Sequence, residues 1–279
     1  MELVQVLAAR FDRVTTTLRA THDPPPKGVP NPIHSDEGAT SSGYAGSLVA
    51  GVRTYGWCVA EILADAGPGW LEHGWVDFTL HRPLFVDELL TIDASGGQVD
   101  AGTAKGSVLS GSYGSGDAPF LDALDPPAPA PGEDPPDPRP GYTLDTAPIG
   151  LPLRPLTARV TRAAASRLAI EDLGIEEGQW GQRVHPYFLA ARMAPLTRHN
   201  FTYGPTIHVR TQMQHLAPVA TATDLTIGAT IVEAYDRNGH WYQVLDGVIT
   251  SAPIDSDPAV VGSEVARLRH HTIFRPRPG

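Results

Sequence analysis

The sequence predicts an α+β protein built from two similar halves, each with antiparallel strands curled around one apolar helix. The first observation is an internal repeat: "GWVDFTLHRPLFVDELLTI" and "IHVRTQMQHLAPVATATDLTI" read alike. Aligning Pro83 with Pro218 places the triplet Leu-Thr-Ile at 90–92 on the same triplet at 225–227. Each copy indicates a strand, a turn at proline and a second strand. The other two observations are one long apolar helix in each half and a proline-rich segment between the halves.

The strands are predicted from residue alternation and from turn signals. Polar or exposed positions alternate with apolar ones in the first copy, with the period of two that is typical of a half-buried strand. The two sets are Trp75, Asp77 and Thr79 against Val76, Phe78 and Leu80. Further strands follow in both halves, and the pair Asn238 and Gly239 is a strong signal for a two-residue hairpin.

The helices are predicted upstream of each proline strand. The first spans residues 46–66, and its apolar side chains recur at steps of three and four residues. The second spans 185–199, where Pro186 suits the first helical turn. A sheet that curls around one buried helix is the simplest architecture that hides such a helix. Each half is therefore predicted to be one sheet wrapped around one helix.

A proline-rich segment, "DAPFLDALDPPAPAPGEDPPDPRPGY", separates the two halves. Proline interrupts both helices and sheet ladders, so the segment is predicted to be a stiff, extended connector. The predicted boundaries are 1–116 for the first half, 117–148 for the connector and 149–279 for the second half.

Composition excludes several classes of function. The chain has 279 residues with 31 acidic and 21 basic side chains, a formal net charge of −10, which disfavours nucleic acids and membrane surfaces as partners. The single cysteine, Cys58, lies in an apolar run and is predicted to be a packed core thiol. The start of the chain lacks signal-peptide features, and no apolar run is long enough to span a membrane, so we expect a cytoplasmic protein.

No metal site and no cofactor are expected. The pair His270 and His271 has no flanking carboxylates that would complete a metal site. No glycine-rich loop followed by lysine is present, so nucleotide hydrolysis has no support.

The stretch "GVPNPIHSDEGATSSGYAGSLVAGV" resembles the hydratase signature of the MaoC-like, R-specific enoyl-CoA hydratase family. That signature reads Gly-Asp-x-Asn-Pro-hydrophobic-His, then five residues and a small one, before a glycine-rich turn into the central helix. The stretch "RPLFVDELLTI" resembles the strand pair that follows in the same family. The resemblance implies a double hotdog, in which two hotdog units in one chain pair as other members pair as dimers.

The resemblance also implies an activity and a set of site residues. The activity is the reversible hydration of an enoyl-CoA, or dehydration of a 3-hydroxyacyl-CoA, with coenzyme A or a carrier protein as the acyl carrier. His34 would be the acid or base, because its side chain titrates near neutrality. Asn31 would orient a water molecule or fix the loop. The catalytic aspartate of the family falls on Val29, so one half of the expected acid–base dyad is absent.

Polarisation of the thioester carbonyl is the third requirement of this chemistry, and backbone amides at a helix N-terminus suit it. We expect the residues at the entry to the first helix to bind substrate in this way: Gly43, Ala45, Gly46 and Ser47. Asp36 and Glu37 are expected to lie outside the pocket. Our hypothesis is that an acidic partner for His34 comes from the second half, where His185 and Tyr203 are candidates.

Two other functions remain open at this point. A thioesterase on the same scaffold needs a carboxylate near a helix N-terminus, and the first helix offers none before Glu61. A protein that binds acyl-CoA without chemistry would also keep the fold and lose the acid. A homodimer of two such chains is an open alternative to a monomer.

Overall fold

The structure, a computed structural model, describes residues 15–21, 31–41, 43–257 and 259–277 of the chain. The strands in this part are β1 (Thr16–Arg19), β2 (Gly74–Leu80), β3 (Leu89–Ser95), β4 (Gln98–Thr103), β5 (Gly106–Ser115), β6 (Leu156–Val160), β7 (Ile207–His215), β8 (Thr223–Arg237), β9 (His240–Pro253) and β10 (Ser263–Arg275). The α-helices are α1 (Asp36–Ser41), α2 (Gly51–Ala66), α3 (Trp70–His73), α4 (Arg162–Arg167), α5 (Pro186–Ala190) and α6 (Met193–Asn200). A π-helical segment covers Leu168–Leu173, and short 3-10 turns cover Pro32–His34, Leu121–Ala123 and Gly178–Gly181.

The strands form one antiparallel sheet in the order β1-β3-β4-β5-β2-β7-β10-β9-β8-β6. The first five strands in this order come from the first half of the chain and the last five from the second. The two halves meet where β2 pairs with β7, for example through Phe78 opposite Thr211. This edge-to-edge junction of two five-stranded units confirms the predicted α+β double hotdog.

The internal repeat also extends to the strand register. In the first half Ile92 of β3 lies opposite Thr16, and in the second half Ile227 of β8 lies opposite Leu156. The aligned triplets therefore occupy equivalent places beside equivalent edge strands. The predicted hairpin at Asn238 joins β8 to β9, with φ of 58° there and 82° at Gly239.

Helix α2 begins five residues later than the sequence predicted. Leu48 forms an isolated β-bridge with Phe85, and the Val49 amide donates to the Leu84 carbonyl at 2.9 Å. This pairing keeps residues 47–49 extended, since backbone groups there are satisfied across the chain instead of along a helix. Ala50, with ψ of 131°, is the last extended residue before the helix.

The predicted second helix over 185–199 is two helices, α5 and α6. A continuous helix would need an amide at position 195 to donate to the Ala191 carbonyl, and Pro195 has no amide hydrogen. The chain turns at Ala191, where ψ is 0°, and the helix starts again at Met193. Pro195 then occupies the first turn of α6, where a missing amide hydrogen costs no helical bond.

A continuous apolar core joins both halves beneath the sheet. Helix α2 is buried on nearly all sides, and its Tyr55 ring stacks on Phe78 of β2 with the ring centroids 4.6 Å apart. Cys58 is fully buried on the same helix, which confirms the predicted core thiol. Burial raises the pKa of this thiol far above its usual value, so it is not a nucleophile at neutral pH.

The proline-rich connector is fixed to the second half by hydrogen bonds. The Asp125 amide donates to the Asp246 carboxylate at 2.7 Å, and the Arg269 guanidinium donates to the Ala123 carbonyl at 2.8 Å. Apart from the short turn at Leu121–Ala123, the connector forms no helix. The exact domain boundaries stay a prediction.

Two classes of feature are absent from the described part of the chain. None of its helices has the length and apolar character needed to cross a lipid bilayer. It also contains no group of three or more side chains arranged to hold a metal ion.

Candidate functional site

A cleft of about 1720 Å³ lies between the two halves. It is lined by the loop around His34, the start of α2, the end of β2, the start of β7, and helices α5 and α6. The volume exceeds the few hundred to about 1,000 Å³ that a small ligand needs, so it suits an extended ligand.

His34 is held at this cleft in a defined tautomer. Its Nδ1 atom lies 2.7 Å from the Leu48 carbonyl oxygen, which can only accept a hydrogen bond, so Nδ1 carries the proton. The Leu48 amide in turn donates to the Ile33 carbonyl at 3.1 Å, which fixes the turn that carries the histidine. The Nε2 atom of neutral His34 is consequently the hydrogen-bond acceptor of the ring.

Asn31 connects His34 to the second half of the chain. Its side-chain amide donates to the Thr206 carbonyl at 2.7 Å and lies 3.3 Å from His34 Nε2. These contacts use the two amide hydrogens. The Oδ1 atom is buried without a hydrogen-bond partner among the described residues. It is therefore placed to accept a hydrogen bond from a water molecule or a substrate hydroxyl beside His34.

The first turn of α2 lines the same cleft. The amides of Arg53 and Thr54 both donate to the Ala50 carbonyl, at 2.9 and 3.3 Å. The amides of Gly51 and Val52 have no acceptor within the described ranges, and no side chain caps the helix. Such amides, together with the helix dipole, favour negative charge on a bound atom.

Three polar atoms of the cleft are buried without a hydrogen-bond partner in the described part of the chain. They are Asn31 Oδ1, Thr54 Oγ1 and His208 Nδ1. Leaving such an atom unsatisfied costs about 1–3 kcal/mol, so native structures normally supply a partner. Their clustering in one cleft indicates that a polar ligand or ordered water completes the site.

His208 belongs to a hydrogen-bonded chain at the junction of the two halves. Its Nε2 atom lies 2.8 Å from Thr211 Oγ1, and the same hydroxyl lies 2.7 Å from Nδ1 of His270 on β10. The two imidazole rings are 4.4 Å apart. Burial lowers the pKa of His208 to about 3, so its ring is neutral at neutral pH.

Arginine side chains give the cleft a basic character within an acidic protein. Arg82 and Arg159 also line it, but Glu88 and Asp224 neutralise them. Four other lining arginines form no ion pair with a carboxylate of the described residues: Arg139, Arg167, Arg192 and Arg198. Arg139 donates to the backbone carbonyl of Arg198 at 2.9 Å, so its guanidinium lies beside α6.

The two candidates from the second half lie away from the cleft lining. His185 is 2% exposed, and its Nδ1 caps α5 by accepting from the Tyr187 amide at 3.1 Å. Burial lowers the pKa of His185 to about 3. The Tyr203 hydroxyl donates to the Ala194 carbonyl at 3.3 Å, and burial raises its pKa to about 12. These contacts give both side chains structural roles.

The predicted substrate-binding residues at the helix entry are also outside the cleft lining. Gly43 and Ala45 are exposed, and Gly46 precedes the extended segment. Ser47 is buried, and its amide and hydroxyl both donate to the Asp36 carboxylate, at 3.1 and 2.6 Å. The part of this segment that lines the cleft is the first turn of α2 instead.

Position 29, where the resemblance places the catalytic aspartate, lies outside the described residues. The same holds for Gly28 and Pro30. The proposed loss of the family acid at Val29 is therefore a sequence observation, and the structure makes no statement about it.

Gly51 provides the first test of this site. An added Cβ would overlap the Leu80 side chain and lie 3.3 Å from the His208 ring. We expect Gly51→Ala to lower catalytic turnover by roughly 100-fold, because small displacements of positioned groups have effects of this size. Steady-state kinetics on the purified variant and wild type measures this change in turnover.

Gly46→Ala is the matched control, because a Cβ there meets no atom within 4 Å. We expect this control to keep wild-type kinetics. If both variants lost turnover equally, the site could not be assigned to the first turn of α2, and this would contradict its placement there.

Sequence reasoning identified His34 and Asn31 but missed His208, His270 and Thr54. Strand alternation assigns residues to two faces of a strand without saying which face meets the cleft. His208 and Thr211 are three residues apart and would lie on opposite faces of a regular strand. Only a bulge, described below, brings them together.

Comparison with known proteins supports the fold. No protein-family model matches the chain, and no curated protein matches it. Among solved structures, a MaoC-like dehydratase is similar with a TM-score of 0.55 and 14% identity, over 88% of this chain and 90% of that one. A protein from Chloroflexus aurantiacus J-10-fl, described as a MaoC domain dehydratase, has a TM-score of 0.58 and 13% identity, over 96% of both chains.

A third similar structure is a conserved hypothetical protein of Mycobacterium tuberculosis, described as having a double hotdog fold. Its TM-score is 0.54 and its identity 15%, over 86% of each chain. Identities in this range establish a shared fold and leave the chemistry to be argued from the site. The chain thus has the double hotdog fold found in MaoC-like dehydratases.

Proposed function

We propose that the protein is an acyl-thioester hydro-lyase that reversibly hydrates an enoyl-CoA or dehydrates a 3-hydroxyacyl-CoA. The observation that carries the proposal is His34 at the cleft, with its proton fixed on Nδ1 by Leu48 and its Nε2 beside Asn31. The free amides of Gly51 and Val52 line the same cleft. A base, a water-binding group and a site for developing negative charge are the parts that this reaction needs.

The proposed reaction uses His34 twice. Once the Asn31 amide releases Nε2, this nitrogen takes a proton from a water molecule held by Asn31 Oδ1, while the water oxygen forms a bond to the β-carbon. The electrons of the double bond move to the thioester oxygen, which becomes an enolate stabilised by the α2 amides. The imidazolium then returns the proton to the α-carbon, and the neutral enzyme is restored. Addition to one face of the double bond follows, because one side chain carries out both transfers of this proton.

The basic end of the cleft supports coenzyme A as the acyl carrier. The guanidinium groups of Arg139 and Arg198 form no ion pair within the described part of the chain; that of Arg139 contacts the Arg198 carbonyl, and that of Arg198 contacts the Thr206 hydroxyl. Phosphate groups are the natural partners of such arginines. The diphosphate of coenzyme A would occupy this end while the acyl chain reaches His34.

An absorbance assay with a panel of enoyl-CoA thioesters tests the function. We expect loss of the conjugated enoyl absorbance without release of free thiol. Release of coenzyme A thiol, measured with a thiol reagent, would instead indicate the thioesterase alternative. Binding of acyl-CoA without either signal would indicate a binding protein, and no binding would overturn the proposal.

The role of the arginines is tested by kinetics with two carriers. We expect Arg139→Gln combined with Arg198→Gln to raise KM for an acyl-CoA about tenfold or more, since each lost charge-assisted contact is worth roughly a factor of ten. KM for the matching pantetheine thioester, which lacks the nucleotide and its phosphates, should not change.

Arg154→Gln is the control for this prediction, because Arg154 is exposed and lies outside the cleft lining. It should leave both KM values unchanged. Equal increases in KM for the coenzyme A and pantetheine thioesters of the double variant would contradict a phosphate site.

A further inference from the structure

We propose that His208 donates a hydrogen bond from Nδ1 to the thioester carbonyl oxygen and so polarises the substrate. The inference rests on the proposed acyl-thioester function and assigns the polarising group to the second half of the chain. His34 and His208 would then act on the same substrate from opposite sides of the junction, with His34 moving protons and His208 holding the carbonyl.

Placement of His208 depends on a β-bulge. In the ladder between β7 and β10, His271 lies opposite Arg210 and Thr272 lies opposite His208, so Val209 is an extra residue. The bulge places His208 and Thr211 on the same face of the sheet. Thr211 lies opposite Phe78, whose ring packs under α2, so this is the helix-facing side. Bulges often redirect a side chain beside a functional site.

The position of Nδ1 points to the start of α2. It lies 3.3 Å from the place where a Cβ on Gly51 would stand, and Gly51 carries one of the two free amides. Nδ1 is buried and has no hydrogen-bond partner in the described part of the chain. An oxygen bound by the α2 amides would therefore lie near an unsatisfied nitrogen.

The hydrogen-bonded chain allows two arrangements of the protons on His208 and His270. The Thr211 hydroxyl has a single hydrogen, so it donates to one imidazole and accepts from the other. When His270 Nδ1 donates to Thr211, the hydroxyl donates to His208 Nε2, and the proton of neutral His208 is on Nδ1. The proposal requires this arrangement, which makes Nδ1 a donor to the acceptor oxygen of a thioester.

Access to Nδ1 requires one side chain to move. Leu80 packs on the same side of Gly51 as His208. Its Cδ1 atom is the atom nearest to the place where a Cβ on Gly51 would stand. Rotation of this flexible end opens a path from the cleft to Nδ1 without a change in the backbone. Leu80 is only partly buried and itself lines the cleft.

Two conservative variants separate substrate binding from a purely structural role. His208→Asn keeps an amide near the Nδ1 position and loses the link to Thr211, whereas His208→Gln keeps a polar group near the Nε2 position and loses Nδ1. We expect His208→Gln to lower kcat by roughly 100- to 1,000-fold, as loss of a single carbonyl-binding donor does. His208→Asn should retain most of the wild-type kcat. The reverse order would show that His208 only anchors Thr211, and would overturn the proposal.

A spectroscopic readout keeps this test independent of turnover. The probe is hexanoyl-CoA with an isotope-labelled thioester carbonyl carbon, which binds but has no double bond to hydrate. We expect infrared difference spectra to show a lowered carbonyl stretching frequency with the wild type and with His208→Asn, and none with His208→Gln. A shift that persists in His208→Gln would refute the role of His208, even if the protein hydrates enoyl-CoA. A shift that depends on His208 without any hydration would refute the proposed function alone.

Discussion

His34→Ala is expected to lower hydratase turnover by roughly 100- to 10,000-fold, the range typical for loss of a general acid or base. The reason is the tautomer fixed by Leu48, which leaves Nε2 as a proton acceptor beside Asn31. Initial rates measured with a saturating enoyl-CoA substrate test this expectation. Thermal unfolding of the same sample shows whether the fold is retained.

His34→Asn distinguishes catalysis from a loop-fixing role. The asparagine amide can still donate to the Leu48 carbonyl, because it stands close to the position of the histidine Nδ1 atom. It has no lone pair that accepts a proton near neutral pH. We therefore expect His34→Asn to unfold at the wild-type temperature and to be as inactive as His34→Ala. Wild-type turnover in His34→Asn would mean that His34 only holds its loop.

The second large effect is a loss of stability in mild acid. His185 and His215 are each 2% exposed. Burial, with repulsion from His215, lowers the pKa of His185 to about 3, and burial lowers the pKa of His215 to about 4. Both groups have a pKa near 6.5 in the unfolded chain. The unfolded chain therefore binds more protons than the folded one between these values.

This difference in proton binding makes the folded protein less stable as the pH falls. The stability that these neutral histidines contribute is complete above about pH 6.5 and is lost as the pH falls toward 4. Each group should remove about 2 kcal/mol from the free energy of unfolding at pH 5. The sum of about 4 kcal/mol is a large share of the roughly 5–15 kcal/mol that stabilises a typical domain. Chemical unfolding at a series of pH values measures the slope.

His215→Phe isolates one of the two contributions. The phenyl ring keeps the packing on Trp70, whose ring lies 4.8 Å from that of His215, and it cannot bind a proton. We expect the free energy of unfolding of the variant to depend less steeply on pH between about 4 and 6.5. The difference in slope should correspond to about one bound proton. His73→Gln, at an exposed position, should keep the wild-type slope. An unchanged slope in His215→Phe would show that acid lability arises elsewhere.

The features that were predicted correctly have local signals. The Leu-Thr-Ile triplet within each half, the period of α2 and the turn at Asn238 each depend on residues close together in sequence, and the structure confirms them. The errors at the helix ends have tertiary causes. Pairing of Val49 with Leu84 delays α2, and Pro195 divides the second helix.

The candidate site was predicted in part for the same reason. His34 and Asn31 lie three residues apart in a recognisable string, so the sequence places them together. The polar groups opposite them come from β7 and β10, more than 170 residues further along the chain. No local pattern joins these segments to the loop around His34.

The sequence by itself determined two repeated units, their helix-and-strand content and one histidine beside an asparagine. The tertiary structure alone decided that β2 pairs with β7, that Val209 is extruded as a bulge, and that His208 consequently faces the start of α2. Strand pairing and bulge position depend on the register between segments distant in sequence, and that register is set by packing of the whole core. Residue alternation within one strand carries no information about it.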